Sequence, residues 1–397
     1  MKKKIAFDMA LNIVATAIPI IVLQLFLLPA LSHYLSDDQY GLLVTILSLM
    51  NMVPSTLGNV LNNIRLIESR ELEDGNAQQN FNVILSVMLG VNLVTMAVCT
   101  CIYDRGIEID SLLLTLLVSV FLLLREYFTV AFRIKLNYKN IVASNLIMIA
   151  GYGVGFFLFP LTNRWQVIYL LGYGFSLAFI FLKTDLWKEA FQVSSSFRHI
   201  CLQAVLLTAA TFLGRVTTYA DKLIIFPVLG GAVVSVYYTA TLFGKVVSMA
   251  ITPISSVILS YLSRANRKND DIFRLAFFSG LGVCIVGYFA CIAVSRPVLG
   301  LLYPQFVEQA MQYIWITTGT MVITTLTAIV HPFVLKFFDM KWQILINGSY
   351  VAVYVGLALT MLGRWGLHGF CLGALAASLI KLVFMVYIYG KKKEKAF

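Results

Sequence analysis

Runs of about twenty apolar residues recur from one end of this chain to the other, and that recurrence limits the fold more than any other feature. Hydrocarbon offers no water to backbone N–H and C=O groups, so membrane-crossing segments are helices or closed barrels. A barrel strand crosses in about ten residues, so runs twice that long read as helices. Twelve are found, at 9–32, 41–62, 81–102, 111–131, 141–160, 166–182, 201–226, 233–260, 275–295, 311–335, 342–362 and 368–389. The expected fold class is an all-α integral membrane protein with twelve transmembrane helices. Hydrophobic residues make up 59% of the chain and charged residues 12%, which excludes a soluble domain, a disordered chain and a disulfide scaffold. The six cysteines (Cys99, Cys101, Cys201, Cys284, Cys291, Cys371) show no metal-ligand spacing and are read as small core residues.

The formal net charge of +11 suggests nucleic acid in a soluble chain, but here it reads first as a topology signal. With the N-terminus inside, the inner segments hold 21 Lys and Arg and the outer loops 4, namely Arg105, Arg164, Arg296 and Arg364. That asymmetry places both termini in the cytoplasm and accounts for the basic excess without nucleic acid. All five Trp (165, 187, 315, 342, 365) fall at span ends, as interfacial anchors do. Lys2–Lys4 before an apolar run mimics a signal peptide, but the run is too long and lacks a small-x-small cleavage site. The longest inner loop, Lys183 to His199, divides the chain into residues 1–195 and 196–397 with six spans each. Pro54 in span 2 and Pro253 in span 8 sit in similar polar runs, a hint of internal symmetry.

Four spans carry polar residues at helical spacing. Span 7 has Thr208, Thr211, Arg215, Thr218 and Lys222; span 8 has Thr241, Lys245, Ser248, Thr252 and Ser255. Span 2 has Ser48, Asn51, Ser55, Gly58 and Asn62, with Asn59 alongside, and span 10 has Thr317, Thr320, Thr324, Thr327 and His331. Steps of three and four put each set on one helical face, which must meet protein or water rather than lipid. For spans 2 and 10, helix–helix contact explains the pattern as well as a cavity does. The cations of spans 7 and 8 tilt the balance. Arg215 and Lys245 lie about 20 Å and 18 Å along their helices, beyond easy snorkelling. Acidic groups in the spans are few, chiefly Glu126 and Asp221, with Asp8 at the edge of span 1. Surplus cations in mid-membrane point to a water-filled cavity that receives an anion. Arg125, beside Glu126 in span 4, fits either the cavity or snorkelling, and Lys381 in span 12 is read as snorkelling.

The stretch Tyr219-Ala-Asp-Lys-Leu-Ile-Ile-Phe-Pro-Val-Leu-Gly230, leading into Val236-Tyr-Tyr-Thr-Ala240, resembles the span 7–8 signature of Wzx-type polysaccharide flippases. Leu301-Leu-Tyr-Pro-Gln-Phe306 and Leu35-Ser-Asp-Asp-Gln-Tyr-Gly41 are similar to outer loops of that family, which belongs to the multidrug/oligosaccharidyl-lipid/polysaccharide exporter superfamily. The resemblance implies two pseudo-equivalent six-helix bundles around a central cavity lined by spans 1, 2, 7 and 8. It implies a substrate, an undecaprenyl-diphosphate-linked oligosaccharide repeat unit, moved from the inner to the outer leaflet of the bacterial inner membrane. It also implies possible contacts with a polysaccharide polymerase and a chain-length regulator, and a monomer among membrane lipids with no cofactor or metal. Arg215, Lys245, Lys222 and Arg125 are the expected diphosphate contacts. Thr208, Thr211, Thr218, Thr241, Ser248, Thr252, Ser48, Asn51, Ser55 and Asn59 are the expected polar lining. Asp221, Glu126 and His331 are candidates for coupling to an ion gradient.

Two alternatives stay open. Multidrug and cation exporters share the superfamily, and an anionic cavity would suit their substrates better than a cationic one. A membrane enzyme such as an O-antigen polymerase is a different class; the largest outer loop, Arg296–Ala310, is short for acceptor handling, and no HExxH, GxSxG or P-loop motif is present.

Overall fold

Pro54 shows how local chemistry shapes the first long span. It has no N–H to offer the carbonyl four residues back, and the helix pauses at Val53 before resuming with Pro54 at its first position. Two helices in series result, and such breaks recur. The computed structural model describes residues 17–68, 80–189, 191, 193, 197–244, 258, 262 and 270–391. Its helices are α1 (Ala17–Ser32), α2 (Asp37–Met52), α3 (Pro54–Glu68), α4 (Asn80–Tyr103), α5 (Ile109–Phe128), α6 (Val130–Ile134), α7 (Tyr138–Thr162) and α8 (Gln166–Lys183). They continue with α9 (Phe197–Leu229), α10 (Gly231–Ala240), α11 (Asp270–Leu302), α12 (Val307–Phe337) and α13 (Met340–Lys391). Among the described residues there is no strand.

Nine helical stretches of the described residues are long and apolar enough to cross a membrane: Asp37–Glu68, Phe81–Tyr103, Ile109–Ile134, Tyr138–Thr162, Gln166–Lys183, Phe197–Leu229, Asp270–Leu302, Val307–Phe337 and Lys341–Gly390. The chain is a multi-pass membrane protein. The difference from twelve has three sources. Run 9–32 is described only from Ala17, where it is a shorter apolar helix with a π-helical turn at Leu23–Leu27. Run 233–260 is described to Gly244 and at Ile258. Runs 342–362 and 368–389 form one stretch, α13, broken at Trp365 (φ −126°, ψ 17°) and Gly366 (φ 56°, ψ −140°). The positive φ at Gly366 is one that a side chain would oppose, so the break is written into the sequence.

The chain divides into two compact units. Unit 1 holds Met1–Ala30 and Thr45–Leu223; unit 2 holds Leu31–Val44 and Ile224–Phe397. Most of α9 therefore packs with unit 1, and the start of α2 with unit 2.

In unit 1, α5 packs against α3, α4 and α8, and α7 pairs closely with α8. Small residues permit the close approaches. A Cβ on Gly151 would stand 2.5 Å from the Leu171 carbonyl oxygen, and one on Gly58 would stand 2.6 Å from that of Leu123. Backbones meeting this closely replace the hydrophobic drive that lipid does not supply. Polar side chains add cross-links: Asn92 Nδ2 donates to Ser119 Oγ at 2.9 Å, and Gln166 Nε2 to Ser111 Oγ at 2.7 Å. One end of the unit holds a buried ion pair, Arg65 Nη2 to Glu189 Oε1 at 2.5 Å. Arg65 also donates to the Tyr127 hydroxyl at 2.5 Å, and Asn82 Nδ2 donates to the Glu189 carbonyl at 2.6 Å.

Unit 2 gathers an aromatic core from α11, α12 and α13, where Phe273 stacks on Tyr389 with ring centroids 3.9 Å apart. The three segments that carry the family resemblance converge here. Asp38 Oδ1 accepts the Ala232 N–H at 2.8 Å at the N-terminus of α10, and Ser235 Oγ donates to the Asp37 carbonyl at 2.6 Å. The Tyr40 hydroxyl donates to the Tyr303 hydroxyl at 3.1 Å, and Gln305 Nε2 to the Ser32 carbonyl at 2.8 Å. Burial pushes the Tyr303 phenol above its ordinary pKa. Gly41 and Gly231 touch backbone to backbone, leaving no space for a Cβ. Leu35–Gly41, the start of α10 and Leu301–Phe306 are thus assembly contacts of unit 2, while Tyr219–Leu223 belongs to unit 1.

Candidate functional site

The polar face of α2 and α3 opens on a cavity of about 500 Å³ within unit 1. Asn51, Ser55, Asn59 and Asn62 supply one wall at helical spacing. α5 supplies Arg125 and Glu126, Thr129 follows it, and α6 supplies Arg133. Asn145 and Tyr152 enter from α7, Tyr169 and Tyr173 from α8, and Arg215 from α9. Pro19, Ile20 and Leu23 of α1 close an apolar side.

The glycine at 58 sets the depth of this cavity. Because it has no Cβ, α3 lies against α5, and a methyl there would meet the Glu126 Cβ at 2.8 Å. That approach brings Asn59 Nδ2 within 3.1 Å of Glu126 Oε2, and lets Asn62 Nδ2 donate to the Glu126 carbonyl at 2.7 Å. The second contact satisfies a carbonyl in the last turn of α5, where intrahelical donors run out. Arg125 Nη1 pairs with Glu126 Oε1 at 2.7 Å, its Nε donates to Ser176 Oγ at 3.1 Å, and its Nη2 donates to Asn145 Oδ1. Arg133 Nη1 donates to Asn62 Oδ1 at 2.5 Å and Asn63 Oδ1 at 2.9 Å, neutral partners that leave its charge in place.

Arg215 stands apart. It is half-buried, its guanidinium carbon lies 6.0 Å from the Tyr219 ring centroid, and no carboxylate among the described residues pairs with it. Among the described residues the lining therefore carries three guanidinium groups against one carboxylate, a formal surplus of two positive charges. Amides, hydroxyls and phenols fill the space between them. Such a wall attracts a phosphate-like anion and hydrogen-bonds a polyhydroxylated group beside it.

Of the residues singled out by sequence, Arg215, Arg125, Glu126, Asn51, Ser55 and Asn59 share this cavity. Ser48 is buried outside its lining. Lys222 is buried with its Nζ 2.6 Å from Asp221 Oδ1, so these two neutralise each other away from the cavity. Thr208 lines a separate apolar groove between α3, α4 and α9. Thr211 is half-buried outside the lining, and Thr218 is exposed with its hydroxyl 3.3 Å from the Gly214 carbonyl. Thr241 bonds its own helix, at the Tyr238 carbonyl, and belongs to unit 2. His331 is half-buried on α12 in the same unit. Lys245, Ser248, Thr252, Asp8, Pro253 and Ser255 lie outside the described residues.

Sequence reasoning missed Asn145, Tyr169, Tyr173 and the role of Ser176. The signal was available, because Gln166, Tyr169, Tyr173 and Ser176 follow steps of three, four and three. Arg133 is one of the 21 inner Lys and Arg, and the structure places it on this cavity. At the opposite end of the unit Arg164 bonds Glu108 and reaches Asp110 Oδ2 at 2.8 Å, and the hydrogen bond to Glu108 raises its pKa above the ordinary arginine value. Among the described residues no group of His, Cys, Asp and Glu could hold a metal ion.

No protein-family model matches this chain, and no curated protein matches its sequence. Solved structures do share its fold. The lipid II flippase MurJ in an inward closed conformation has a TM-score of 0.71 at 13% identity, over 96% of this chain and 85% of that one. An inward-facing multidrug resistance MATE family transporter of the MOP superfamily has a TM-score of 0.65 at 12% identity, over 96% of this chain and 98% of that one. A MATE structure in a bent conformation has a TM-score of 0.60 at 13% identity, over 96% and 95%. The chain has the fold of MOP-superfamily transporters, and the neighbours named here are transporters and a flippase.

Proposed function

We propose that this protein is a Wzx-type flippase that carries an undecaprenyl-diphosphate-linked oligosaccharide repeat unit from the inner to the outer leaflet of the bacterial inner membrane. The observation that carries the reading is the surplus of two positive charges, among the described residues, in a cavity whose polar walls are amides and hydroxyls. A diphosphate head cannot enter hydrocarbon unaided, and a cationic, hydrogen-bonding wall lowers that barrier. The prenyl tail has no such barrier and stays in lipid. In this reading the chain is a monomer of twelve spans in two six-helix bundles, 1–195 and 196–397, both termini are cytoplasmic, and the two bundles alternate access to the head group. Product then passes to a polymerase and its chain-length regulator.

The fold shared with MATE transporters supports a second reading, export of lipophilic cations. The sign of the cavity charge separates the two. Purified protein in vesicles with a fluorescent undecaprenyl-diphosphate oligosaccharide on one leaflet should make that lipid accessible on the other, and Arg215→Ala should slow the movement. Transport of a lipophilic cation, with the phosphorylated lipid left where it was placed, would instead establish the exporter. A deletion strain should accumulate lipid-linked oligosaccharide on the inner leaflet, and the sugars on that lipid identify the pathway.

A further inference from the structure

The three guanidinium groups on the cavity differ in which of their N–H groups are already bonded. Arg125 has a protein partner on every nitrogen: Glu126 on Nη1, Asn145 on Nη2 and Ser176 on Nε. Arg215 donates no hydrogen bond among the described residues, so its charge is present but no acceptor fixes the plane of the group. Arg133 lies between these extremes. Its Nη1 donates to Asn62 Oδ1 at 2.5 Å and to Asn63 Oδ1 at 2.9 Å, and no carboxylate among the described residues pairs with it. Its Nε and Nη2 have no hydrogen-bond partner among the described residues, yet neither is a buried polar atom lacking one, so water reaches both. Nε–H and the neighbouring Nη2–H point the same way, and this is an edge with which a guanidinium takes two oxygens of one phosphate or carboxylate.

The anchor of that edge is itself fixed. Asn62 is buried, and its Nδ2 donates to the Glu126 carbonyl at 2.7 Å. With the nitrogen side of the amide committed to the end of α5, the oxygen side is turned to Arg133. Both asparagines are neutral, so they orient the guanidinium without cancelling its charge; a carboxylate in either place would do both. A donor pair held in this way loses little freedom when a ligand arrives, and that is where a fixed group gains affinity. We propose that Arg133 grips the diphosphate head: its Nε–Nη2 edge takes two oxygens of one phosphate, and Asn62 and Asn63 are the positioning residues that keep that edge turned outward. This inference rests on the flippase reading and separates Arg133 from two neighbours that the charge count treats as its equals.

The test uses full-length protein in nanodiscs and native mass spectrometry, with undecaprenyl diphosphate as probe. Arg133→Lys keeps the charge and removes the edge, because an ammonium group is a point donor. It should weaken retention of the lipid about tenfold, the scale of one charge-assisted hydrogen bond. Asn63→Asp keeps Arg133 and an acceptor for its Nη1, but cancels its charge. It should weaken retention at least as much while the thermal midpoint stays at or above that of the parent. An Arg133 that only pins α6 to α3 would lose no lipid in Asn63→Asp. Retention equal to the parent in either variant would overturn the proposal, and loss in Arg215→Ala beside it would leave the flippase reading standing. A parent protein that retains undecaprenol as well as undecaprenyl diphosphate would remove both. Two other anions offer the same pair of oxygens. Dodecyl glucuronide displacing the lipid at equal concentration would assign the edge to an acidic sugar, and inorganic diphosphate doing so would assign it to a soluble anion; either result overturns the proposal.

Discussion

Arg215 offers the cleanest test of the cavity, because its removal strands no partner. Arg125 is tied to Glu126 at 2.7 Å, so Arg125→Ala would leave a part-buried carboxylate uncompensated and confuse binding with folding. Arg215 has no ion pair among the described residues, so Arg215→Ala lowers the formal charge of the described lining from two to one. The size of the effect follows from Coulomb's law. At about 6 Å, a unit charge pair is worth about 2.8 kcal/mol at an effective dielectric of about 20, and about 0.7 kcal/mol at about 80. Affinity for one anionic charge should therefore fall by a factor between about 3 and about 100. The half-buried position of Arg215 favours the middle of that range. Glu126→Gln supplies the opposite sign: it raises the surplus among the described residues to three, keeps an acceptor oxygen for Arg125 while losing the one that Asn59 uses, and should tighten anion binding. Titration of detergent-solubilised protein with undecaprenyl diphosphate at two ionic strengths reads both effects. If Arg215→Ala binds as the parent does, or Glu126→Gln binds more weakly, the electrostatic account of the cavity is wrong. In a cation exporter both signs would be reversed, with Glu126→Gln losing transport and Arg215→Ala gaining it.

Other outcomes follow from packing. Gly58→Ala should lower stability by about 1–3 kcal/mol, since its methyl would meet the Leu123 carbonyl and the Glu126 Cβ; a fluorescence-detected thermal shift reads this, and an unchanged midpoint refutes the close approach of α3 and α5. Arg65→Met should cost about 3–5 kcal/mol by leaving Glu189 buried and unpaired, and the double variant Arg65→Met/Glu189→Gln should recover part of the loss. Lys222→Met/Asp221→Asn should leave lipid translocation near the parent value, because that pair neutralises itself outside the cavity; a large loss would show that Lys222 acts on substrate. Asp38→Ala removes the side-chain acceptor at the N-terminus of α10 and should cost about 1 kcal/mol in thermal stability, with Asp38→Asn largely neutral.

Much of this was legible in the sequence because it is local. A twenty-residue apolar run specifies a helix wherever it lands, and a step of three or four residues specifies a shared face. Hence spacing puts Asn51 and Ser55 on one face of span 2, with Asn59 beside it, and marks Arg215 as a deep cation, while leaving helix contact and cavity equally open for span 2; all four line the cavity described above. The tyrosines of α8 were overlooked for a local reason too. A phenol counts as apolar in a hydropathy sum, so Tyr169 and Tyr173 disappeared into their span. Arg65 is one of the 21 inner Lys and Arg that the topology places at the inner surface, but it is buried between Tyr127, Phe81 and Glu189.

The sequence by itself determined that the chain crosses a membrane many times, that several helices have one polar face, and that basic side chains in the spans outnumber acidic ones. Only the tertiary structure decided which of those charges remain available. Glu126 could answer Arg125 or Arg215, and it answers Arg125 because Gly58 and Asn59 of α3 and Asn145 of α7 fix the carboxylate and guanidinium in place. Helical period is a property of neighbours along the chain. Neutralisation depends on a few ångströms between residues far apart in sequence, and those distances exist only once the helices have packed.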